Sequence, residues 1–383
     1  MTPAELQANE ELRRHEFPVV GKKIFLAHAA VCPLPRRVAD AVAAHLHTAT
    51  LDDQQAALSP GFVAETRRAA ARALQAQPEE IALVGPTSLA LSYIAAGLPW
   101  KRGQNILVYH DDYPSNVYPW MALADRGVQV RFLNVKELGR IRVFDVQGQV
   151  DEDTRLVALS SCHFVSGWRV EVESLGRWLR GRGIWFCVDA IQTLGAFRTT
   201  VAGVDFLAAD SHKWLLGPCG AGVLYVRKEL QAALQPIVHG WHNVRGPNFV
   251  AQDDISFRHD ARRYEVGSQN LLGLAGLSAA LSLLEAVGGE AIASDLARKR
   301  AWLAKALQEH GCEVLLPSPP DANTSGIITF ATPGHDCAVL HARLAEAGIV
   351  TSLRTTRDER RWIRLSPHYY NTEAELARVI ELL

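Results

Sequence analysis

Short apolar runs alternate with amphipathic stretches between about Ile24 and Arg227. The runs are rich in β-branched residues, so the pattern predicts βαβ units around a mainly parallel sheet. Seven strands are predicted, at Ile81–Val84, Asn105–Tyr109, Val128–Asn134, Arg155–Ser161, Ile184–Asp189, Asp205–Ala208 and Ala221–Val226. The stretches between them place apolar residues at helical spacing and end near glycine. They predict helices at Ser88–Leu98, Pro114–Arg126 and Val172–Arg182.

The pattern changes after a stretch that contains glycine and proline, His239–Asn248. Beyond it, helical spacing predicts helices at Ser268–Ala286, Glu290–His310, Asp336–Ala347 and Thr372–Leu383. Strands are predicted at Gly326–Phe330, Ile349–Leu353 and Trp362–Leu365. We therefore expect an α/β fold with two domains, a large one over residues 21–250 and a smaller C-terminal α/β domain over 251–383. Residues 1–20 are expected to pack on the smaller domain.

Composition and charge exclude several classes of protein. The 383 residues are 48% hydrophobic and 21% charged, which is typical of a globular chain with a large core. Forty Lys and Arg stand against 41 Asp and Glu without a basic stripe, so nucleic acid and anionic membrane are not expected as partners. Met1–Glu16 is polar, unlike a secretion signal, and there is no uninterrupted apolar run of membrane length. These features predict a cytoplasmic protein.

The cysteines have scattered spacings and form no CxxC pair; they are Cys32, Cys162, Cys187, Cys219, Cys312 and Cys337. Such spacing fits neither a zinc site nor a disulfide framework. We therefore predict no metal site, and we expect most of these residues to be small buried hydrophobic side chains.

The candidate chemistry lies at the carboxyl ends of the predicted strands, where open α/β sheets bind ligands. Asp189 ends one strand with Gln192 shortly after it, and Lys213 follows the next strand. A lysine amine forms a Schiff base with an aldehyde, as in enzymes that use pyridoxal 5'-phosphate (PLP). Asp189 would keep the pyridine nitrogen of PLP protonated, and Gln192 would donate to its phenolic oxygen. Taken singly, Asp189 also fits a turn cap and Lys213 a solvated side chain.

A bound PLP also needs an anchor for its phosphate, and a helix N-terminus supplies free NH groups and a positive dipole end. Thr87 and Ser88 stand where a predicted strand leads into a helix, and Ser211 and His212 adjoin the lysine. Tyr113 follows another strand and is a candidate aromatic face for the ring. The alternatives are an ordinary helix cap and an ordinary core or surface tyrosine.

Several ordered segments resemble fold-type I PLP enzymes, in particular the class V aminotransferase superfamily. The segments are Phe25–Ala30, Thr87–Ser88, Tyr113–Asn116, Val188–Gln192, Ser211–Trp214, Arg263–Ser268 and Arg364–Thr372. They cover nearly the whole chain. The resemblance implies the PLP-transferase fold of type I, with a large domain around a mainly parallel seven-stranded sheet.

The resemblance also implies a role for each matching residue. Asp189 and Gln192 bind the cofactor ring, and Lys213 forms the Schiff base. The positions that hold the phosphate correspond to Thr87, Ser88, Ser211 and His212. Gly267–Ser268 matches a segment that reaches the phosphate of a neighbouring subunit, which implies a homodimer. Arg364 matches the residue that receives the substrate carboxylate, and a guanidinium suits a bidentate contact.

The departures from the family bear on the reaction. Cysteine desulfurases of this superfamily carry a nucleophilic cysteine before the carboxylate-binding arginine, whereas Thr351–Trp362 contains none. Tyr113 stands where desulfurases stack a histidine on PLP, and Ser161 replaces another histidine. The pattern is closer to isopenicillin N epimerase-like and C–S lyase-like members. Three further residues are expected to line the substrate pocket, namely His28, His163 and Trp241.

The expected function is therefore chemistry at the α-carbon of an amino acid. β-Elimination of the C–S lyase type and epimerisation are favoured. An aminotransferase and a cysteine desulfurase are the alternatives within the superfamily. A catalytically silent relative that keeps the fold for binding is the alternative of another class.

Overall fold

The computed structural model describes residues 1–246, 248 and 250–383. The α-helices are α1 (Pro3–Ala8), α2 (Glu10–Glu16), α3 (Arg36–Thr48), α4 (Phe62–Leu74), α5 (Thr87–Gly97), α6 (Tyr118–Met121), α7 (Val143–Gln147), α8 (Val172–Arg180), α9 (Leu271–Val287), α10 (Gly289–Glu309), α11 (Cys337–Glu346) and α12 (Glu373–Ile380). The strands are β1 (Ile24–Phe25), β2 (Ile81–Val84), β3 (Asn105–Val108), β4 (Gln129–Phe132), β5 (Thr154–Ser160), β6 (Trp185–Asp189), β7 (Phe206–Asp210), β8 (Gly222–Val226), β9 (Glu313–Val314), β10 (Ile328–Ala331), β11 (Ile349–Val350), β12 (Ser352–Thr355) and β13 (Arg361–Leu365).

The seven strands predicted in the first part of the chain form one sheet, in the order β2-β8-β7-β6-β5-β3-β4. Only β8 runs against the others, because it pairs antiparallel with both β7 and β2 while the remaining pairs are parallel. The central strands β6, β7 and β8 are buried along their whole length. Helices cover both faces of such a sheet, which explains the continuous apolar runs. The predicted α/β fold with a mainly parallel sheet is confirmed.

Two predicted elements differ from the structure. The helix predicted over Pro114–Arg126 is broken, and only α6 is α-helical, with short 3-10 turns on either side. Pro119 explains the break, because proline lacks the NH of a helix interior and fits only in a first turn. The strand predicted over Ile349–Leu353 is divided between β11, which pairs with β1, and β12, which joins another sheet.

The second sheet has the order β12-β13-β10-β9, and all its pairs are antiparallel. Its residues form a separate apolar core with α10, α11 and α12. Helix α9 behaves differently, because most of its leucines are buried in the same core as the seven-stranded sheet. A boundary near Gly288 would fit this packing as well as one near residue 250, so the domain limits stay predictions. Pro247, at that boundary, lies outside the described residues.

The N-terminal helices contact the C-terminal part of the chain. The buried guanidinium of Arg13 binds Glu375 at 2.6 Å, and the Gln7 amide donates to the Tyr369 carbonyl at 2.6 Å. Phe17 stacks on Tyr370, with ring centroids 4.0 Å apart. Helix α2 also reaches α3 through the Glu16–Arg37 ion pair, so this segment bridges two regions.

No single helix in residues 1–246, 248 and 250–383 is long and apolar enough to cross a membrane. Helices α9 and α10 meet the requirements of length and apolar composition only as a pair, and that pair is bent by 78°.

The buried Glu265 links α4, β2 and the segment that leads to Gly267. Its carboxylate accepts hydrogen bonds from both terminal nitrogens of the Arg67 guanidinium. It also accepts one from the backbone NH of Leu83 at 2.7 Å. The Gln269 amide donates to the same group at 2.9 Å. Both members of the Arg67–Glu265 ion pair are buried. Removing one member would leave a buried charge without a partner.

We therefore expect Glu265→Ala to lower the free energy of unfolding by about 3–5 kcal/mol, measured by urea denaturation. Glu285→Ala is the matched control, because it removes an exposed ion pair of Arg72, also on α4. That control should change the free energy of unfolding by less than about 1 kcal/mol. Equal effects of the two substitutions would contradict a stabilising role for the buried pair.

Candidate functional site

The side chains of Asp189 and Lys213 lie near enough to influence each other's charge at the carboxyl edge of the seven-stranded sheet. Asp189 is the last residue of β6, and Lys213 follows the end of the neighbouring parallel strand β7. Parallel strands end at the same edge, so the two side chains emerge side by side. Both are buried, with exposed fractions of 2% and 7%. The structure therefore brings together these two residues of the predicted site, and their roles stay predictions.

Burial changes the proton affinity of both groups in opposite directions. It raises the pKa of Asp189 to about 7, although the nearby charge of Lys213 and the NH of Ile191 oppose the shift. It lowers the pKa of Lys213 to about 8, although Asp189 opposes that shift. Desolvation penalises the charged form of each group, so each moves toward neutrality. A lysine with a lowered pKa holds a larger fraction of free amine, the nucleophilic form.

Tyr113 covers the lysine. The Lys213 amine lies 5.2 Å from the centroid of the Tyr113 ring. The same ring meets Phe164 edge to face, with centroids 5.4 Å apart. A cleft of about 350 Å³ lies next to this ring and is lined in part by Asp112, Phe164 and Thr355. Tyr113 is therefore placed near the amine, and its role as a ring-stacking residue stays a prediction.

Gln192 is held by two hydrogen bonds. Its amide nitrogen donates to the Ala29 carbonyl at 3.1 Å, and its amide oxygen accepts the indole NH of Trp214 at 2.8 Å. Gln192 lies in the turn after β6 and is buried. The second hydrogen of the Gln192 amide nitrogen has no hydrogen-bond partner among the described residues. It is therefore a donor that remains available at the Asp189 end of the sheet.

Three of the predicted phosphate residues, Thr87, Ser211 and His212, come together around Asp210, the last residue of β7. Thr87 accepts the Asp210 backbone NH at 2.9 Å, and the Asp210 carboxylate binds the His212 ring at 2.8 Å. Ser211 is fully buried and donates to the Pro218 carbonyl. Ser88 is exposed and shares a hydrogen bond with Ser115. Hydroxyls, backbone NH groups and a histidine are donors that suit a phosphate.

Sequence reasoning missed two buried aspartates at this edge. Asp210 accepts the NH groups of Gly220 and Ala221 in addition to His212, so it shapes the glycine-rich loop. The Asp112 carboxylate accepts hydrogen bonds from the Ser160 hydroxyl and the Asn116 amide. Its charge adds to the effect of burial in raising the pKa of Asp189. Both follow a strand end in the sequence, and that position was the signal that could have identified them.

Arg364 projects from β13 and is fully buried. It donates to the Phe164 carbonyl at 2.6 Å and to the Ser352 hydroxyl at 3.3 Å. Its Nε is buried without a hydrogen-bond partner among the described residues. Burial lowers the pKa of Arg364, and the charge of Arg354 lowers it further. A buried guanidinium without a carboxylate partner is available to bind an anion.

Arg354 is a further residue that sequence reasoning missed, and it lies on the same strand face as Arg364. Ser352 pairs with Arg364 across β12 and β13, and Arg354 lies two positions along β12. Alternation along a strand places Ser352 and Arg354 on one face, so the two arginines are diagonal neighbours. The charge of Arg354 lowers the pKa of Lys213, so it acts on the same site. Its Nε is also buried without a partner in the described residues.

The structure does not leave His28 and His163 free for the substrate. The His28 ring donates from Nδ1 to the Ser366 carbonyl and accepts the Tyr370 hydroxyl at Nε2, both at 2.9 Å. His163 donates from Nε2 to the Asp111 carbonyl and accepts the Ser166 NH at Nδ1. Burial lowers the pKa of both rings, so they stay neutral. These two are structural residues of the site wall.

Trp241, Gly267 and Ser268 lie together in a different pocket. That pocket has a volume of about 450 Å³ and is also lined by Gln55. Trp241 is 45% exposed. Gly267 and Ser268 line a second, smaller pocket next to Gly85, on the phosphate side. Their predicted roles toward a neighbouring subunit remain predictions.

Strands β12 and β13 form a tight hairpin at the position of the desulfurase cysteine. The turn occupies only residues 356–360 and contains no cysteine. Arg357 holds the turn to Asp111 at 2.5 Å, and Arg360 pairs with Glu313. The six cysteines are free thiols, and only Cys219 is exposed. No cluster of metal-binding side chains occurs in residues 1–246, 248 and 250–383.

The side chains at this edge fit PLP. A buried carboxylate stands beside a buried amine, and an aromatic ring covers the amine. Hydroxyl and histidine groups gather around the ends of β2 and β7, where helix α5 begins. The face of β12 and β13 that carries Arg354 and Arg364 lies on the other side of the site. These are the groups that a pyridinium ring, an aldehyde, a phosphate and an amino-acid carboxylate require.

Comparisons with known proteins agree with this assignment. A probable cysteine desulfurase from Methanothermobacter thermautotrophicus is 27% identical over 98% of this chain and 97% of its own length. The uncharacterized aminotransferase YcbU of Bacillus subtilis is 30% identical over 81% of this chain and 80% of its own length. The apo structure of a cysteine desulfurase from Thermococcus onnurineus NA1 has a TM-score of 0.88 at 25% identity, covering 97% of this chain and 96% of that one.

The fold also matches that of a cystine C–S lyase in complex with its product cysteine persulfide, with a TM-score of 0.86 at 24% identity. The alignment covers 95% of this chain and 98% of the lyase. The profile of the family described as aminotransferase class-V matches residues 24–379. The chain therefore belongs to the class V aminotransferase family of PLP-dependent enzymes.

Proposed function

We propose that this class V enzyme binds PLP through Lys213 and catalyses β-elimination of a sulfur-bearing amino acid, as a C–S lyase does. The observation that carries the proposal is the buried Lys213 amine beside Asp189, under a hairpin that lacks a cysteine. When bound, PLP supplies an electron sink for the charge that develops at the substrate α-carbon. A silent binding protein has no need of such a costly buried pair.

Each residue of the site would have a separate task. Asp189 would hold a proton at the ring nitrogen, because a carboxylate favours the charged form of a neighbouring base. The Lys213 amine would remove the α-proton as general base. Arg364 would bind the α-carboxylate through its free Nε and fix the orientation of the α-carbon. Tyr113 would limit the access of water from its side of the site.

The atoms balance for elimination without a protein thiol. The α-proton moves to Lys213, and the β-carbon–sulfur bond breaks with its electron pair on sulfur. Water then hydrolyses the remaining enamine to pyruvate and ammonia. A desulfurase would need a cysteine to receive the sulfur, and the turn at 356–360 offers none. Epimerisation needs a second acid, and both His28 and His163 already use both ring nitrogens.

Arg354 supports a substrate with a second acidic group. Arg354 and Arg364 are neighbours, and neither is in a salt bridge with a described carboxylate. One α-carboxylate balances one of these charges. A distal carboxylate, as in cystine, would balance the other and gain a charge-assisted hydrogen bond. We therefore propose that the substrate has a disulfide-linked or acidic side chain rather than a short neutral one.

A homodimer is part of the proposal. Gly267 and Ser268 line two pockets, one shared with Trp241 and the other with Gly85. Apolar side chains near them are exposed, including Leu89 at 40% and Leu272 at 37%. Contact with a second copy would cover this apolar surface.

The rate of PLP capture by the apoprotein should rise with pH and level off above about pH 8, because burial lowers the pKa of Lys213 to about 8 and only the free amine adds to an aldehyde. Stopped-flow absorbance at ~420 nm measures this rate. After borohydride reduction, mass spectrometry should find the cofactor on Lys213. Lys299 is the internal control, because its pKa is lowered similarly but Asp295 and the His368 carbonyl bind its amine. A Lys213→Ala protein with native turnover would refute the assignment.

Cystine supplied in heavy water should yield pyruvate, ammonia and cysteine persulfide in equal amounts, with no persulfide on the protein after rapid desalting. The physical reason is that sulfur leaves as an anion and meets no cysteine on the hairpin. Mass spectrometry of products and protein measures both quantities, and Lys213→Ala is the control. With cysteine supplied in place of cystine, alanine and a protein persulfide would indicate a desulfurase. Deuterated D-cystine would indicate an epimerase, and a keto acid that retains sulfur an aminotransferase.

Arg354→Gln should raise the KM for cystine by about tenfold or more and change the KM for S-methylcysteine by less than about twofold, because only cystine has a distal carboxylate. Steady-state kinetics with both substrates measures the difference. Arg361→Gln is the matched control, since Arg361 is an exposed arginine of the same hairpin, paired with Asp336. Equal losses with both substrates would show that Arg354 shares the α-carboxylate with Arg364.

A further inference from the structure

Trp214, the residue after the lysine, makes a direct hydrogen bond to a cofactor-side residue. Its indole NH donates to the amide oxygen of Gln192 at 2.8 Å. Trp214 is 1% exposed and Gln192 is 3% exposed, so water does not compete for this bond. A buried bond between two side chains fixes geometry more strongly than a solvent-exposed one.

The surroundings of Trp214 hold its indole next to Gln192. The backbone carbonyl of Trp214 accepts a hydrogen bond from Nε2 of His368 at 3.0 Å. A Cβ placed on Gly195 would lie 2.5 Å from the same carbonyl, and one on Gly326 would lie 2.8 Å from the edge of the indole ring. There is therefore no room for a side chain at either glycine, and both pack closely against Trp214, one at its backbone and one at its ring. His368 accepts the Tyr369 NH at Nδ1, so Nε2 carries the donated hydrogen.

The bond therefore selects one orientation of the Gln192 amide. An amide turned by 180° would place its NH₂ against the indole NH, with two donors facing each other. In the observed orientation the amide nitrogen donates one hydrogen to the Ala29 carbonyl at 3.1 Å. The second hydrogen is left for another acceptor. The oxygen next to the aldehyde of PLP is such an acceptor in the proposed role of Gln192.

We infer that Trp214 is a positioning residue that fixes the Gln192 amide with one NH directed to the phenolic oxygen of PLP. The inference rests on the proposed function, because it assumes that Lys213 holds the cofactor. An NH donated to this oxygen lowers its basicity. The oxygen shares a proton with the lysine nitrogen in the bound cofactor, so its basicity sets the pH at which that proton is lost.

Trp214→Phe in the holoenzyme should raise the midpoint pH of the ~420 nm band by about one unit, because the oxygen then holds the shared proton more tightly. Spectrophotometric pH titration measures this midpoint without any substrate. Gln192→Leu should raise it by a similar amount. Trp214→Phe combined with Gln192→Leu should cause no further shift, since the indole acts through the amide.

Trp168→Phe is the matched control, because Trp168 is also buried and its indole NH donates to the Ile141 carbonyl at 2.8 Å. The midpoint pH of the ~420 nm band in this control variant should equal that of the unmodified enzyme. Incorporation of β-(benzothienyl)alanine at position 214 keeps the ring shape and removes only the NH donor. This protein tests the bond even where Trp214→Phe fails to fold, and it should show the same upward shift.

An unchanged midpoint with the benzothienyl side chain, while Gln192→Leu still shifts it, would overturn the positioning role. An equal shift from Trp214→Phe in the Gln192→Leu protein would overturn it as well. Failure of the proposed function gives a different result, because an enzyme without cofactor on Lys213 shows no ~420 nm band before any substitution.

Discussion

The buried pair of unlike charges at the carboxyl edge of the large sheet is the constraint on which the site depends. Lys213 and Asp189 lose most of their hydration, and each is tolerated there because the other opposes its desolvation. Strands β6 and β7 meet this requirement by ending side by side. The strand runs are apolar throughout, so this pair and the residues around Asp210 and Asp112 concentrate the polarity at one edge.

The second sheet completes the site from the opposite side. Arg364 donates to the Phe164 carbonyl, and Thr329 donates to the Val165 carbonyl at 2.5 Å. These bonds join β13 and β10 to the loop after β5, so the cationic strand face is held against the edge that carries the lysine. The position of Arg364 is therefore fixed by the Phe164 carbonyl and the Ser352 hydroxyl, and its Nε stays free for an anion.

The central sheet and the pair Asp189–Lys213 could be predicted from the sequence because both depend on local pattern and strand ends. The broken helix at Pro119 shows a limit, since apolar spacing continued through a residue that cannot stay in a helix interior. His28 looked like a substrate residue, but its partners Ser366 and Tyr370 lie far along the chain. The bond between Trp214 and Gln192 likewise depends on packing that no local pattern contains.

The short turn between β12 and β13 has a consequence for how sulfur could leave. A long mobile arm lets a protein carry a bound atom from a buried centre to another protein. Five residues pinned at Arg357 and Arg360 have neither the reach nor the freedom for such transport. In the proposed reaction the sulfur product must leave by diffusion as a small molecule, and any acceptor protein would have to intercept it in solution.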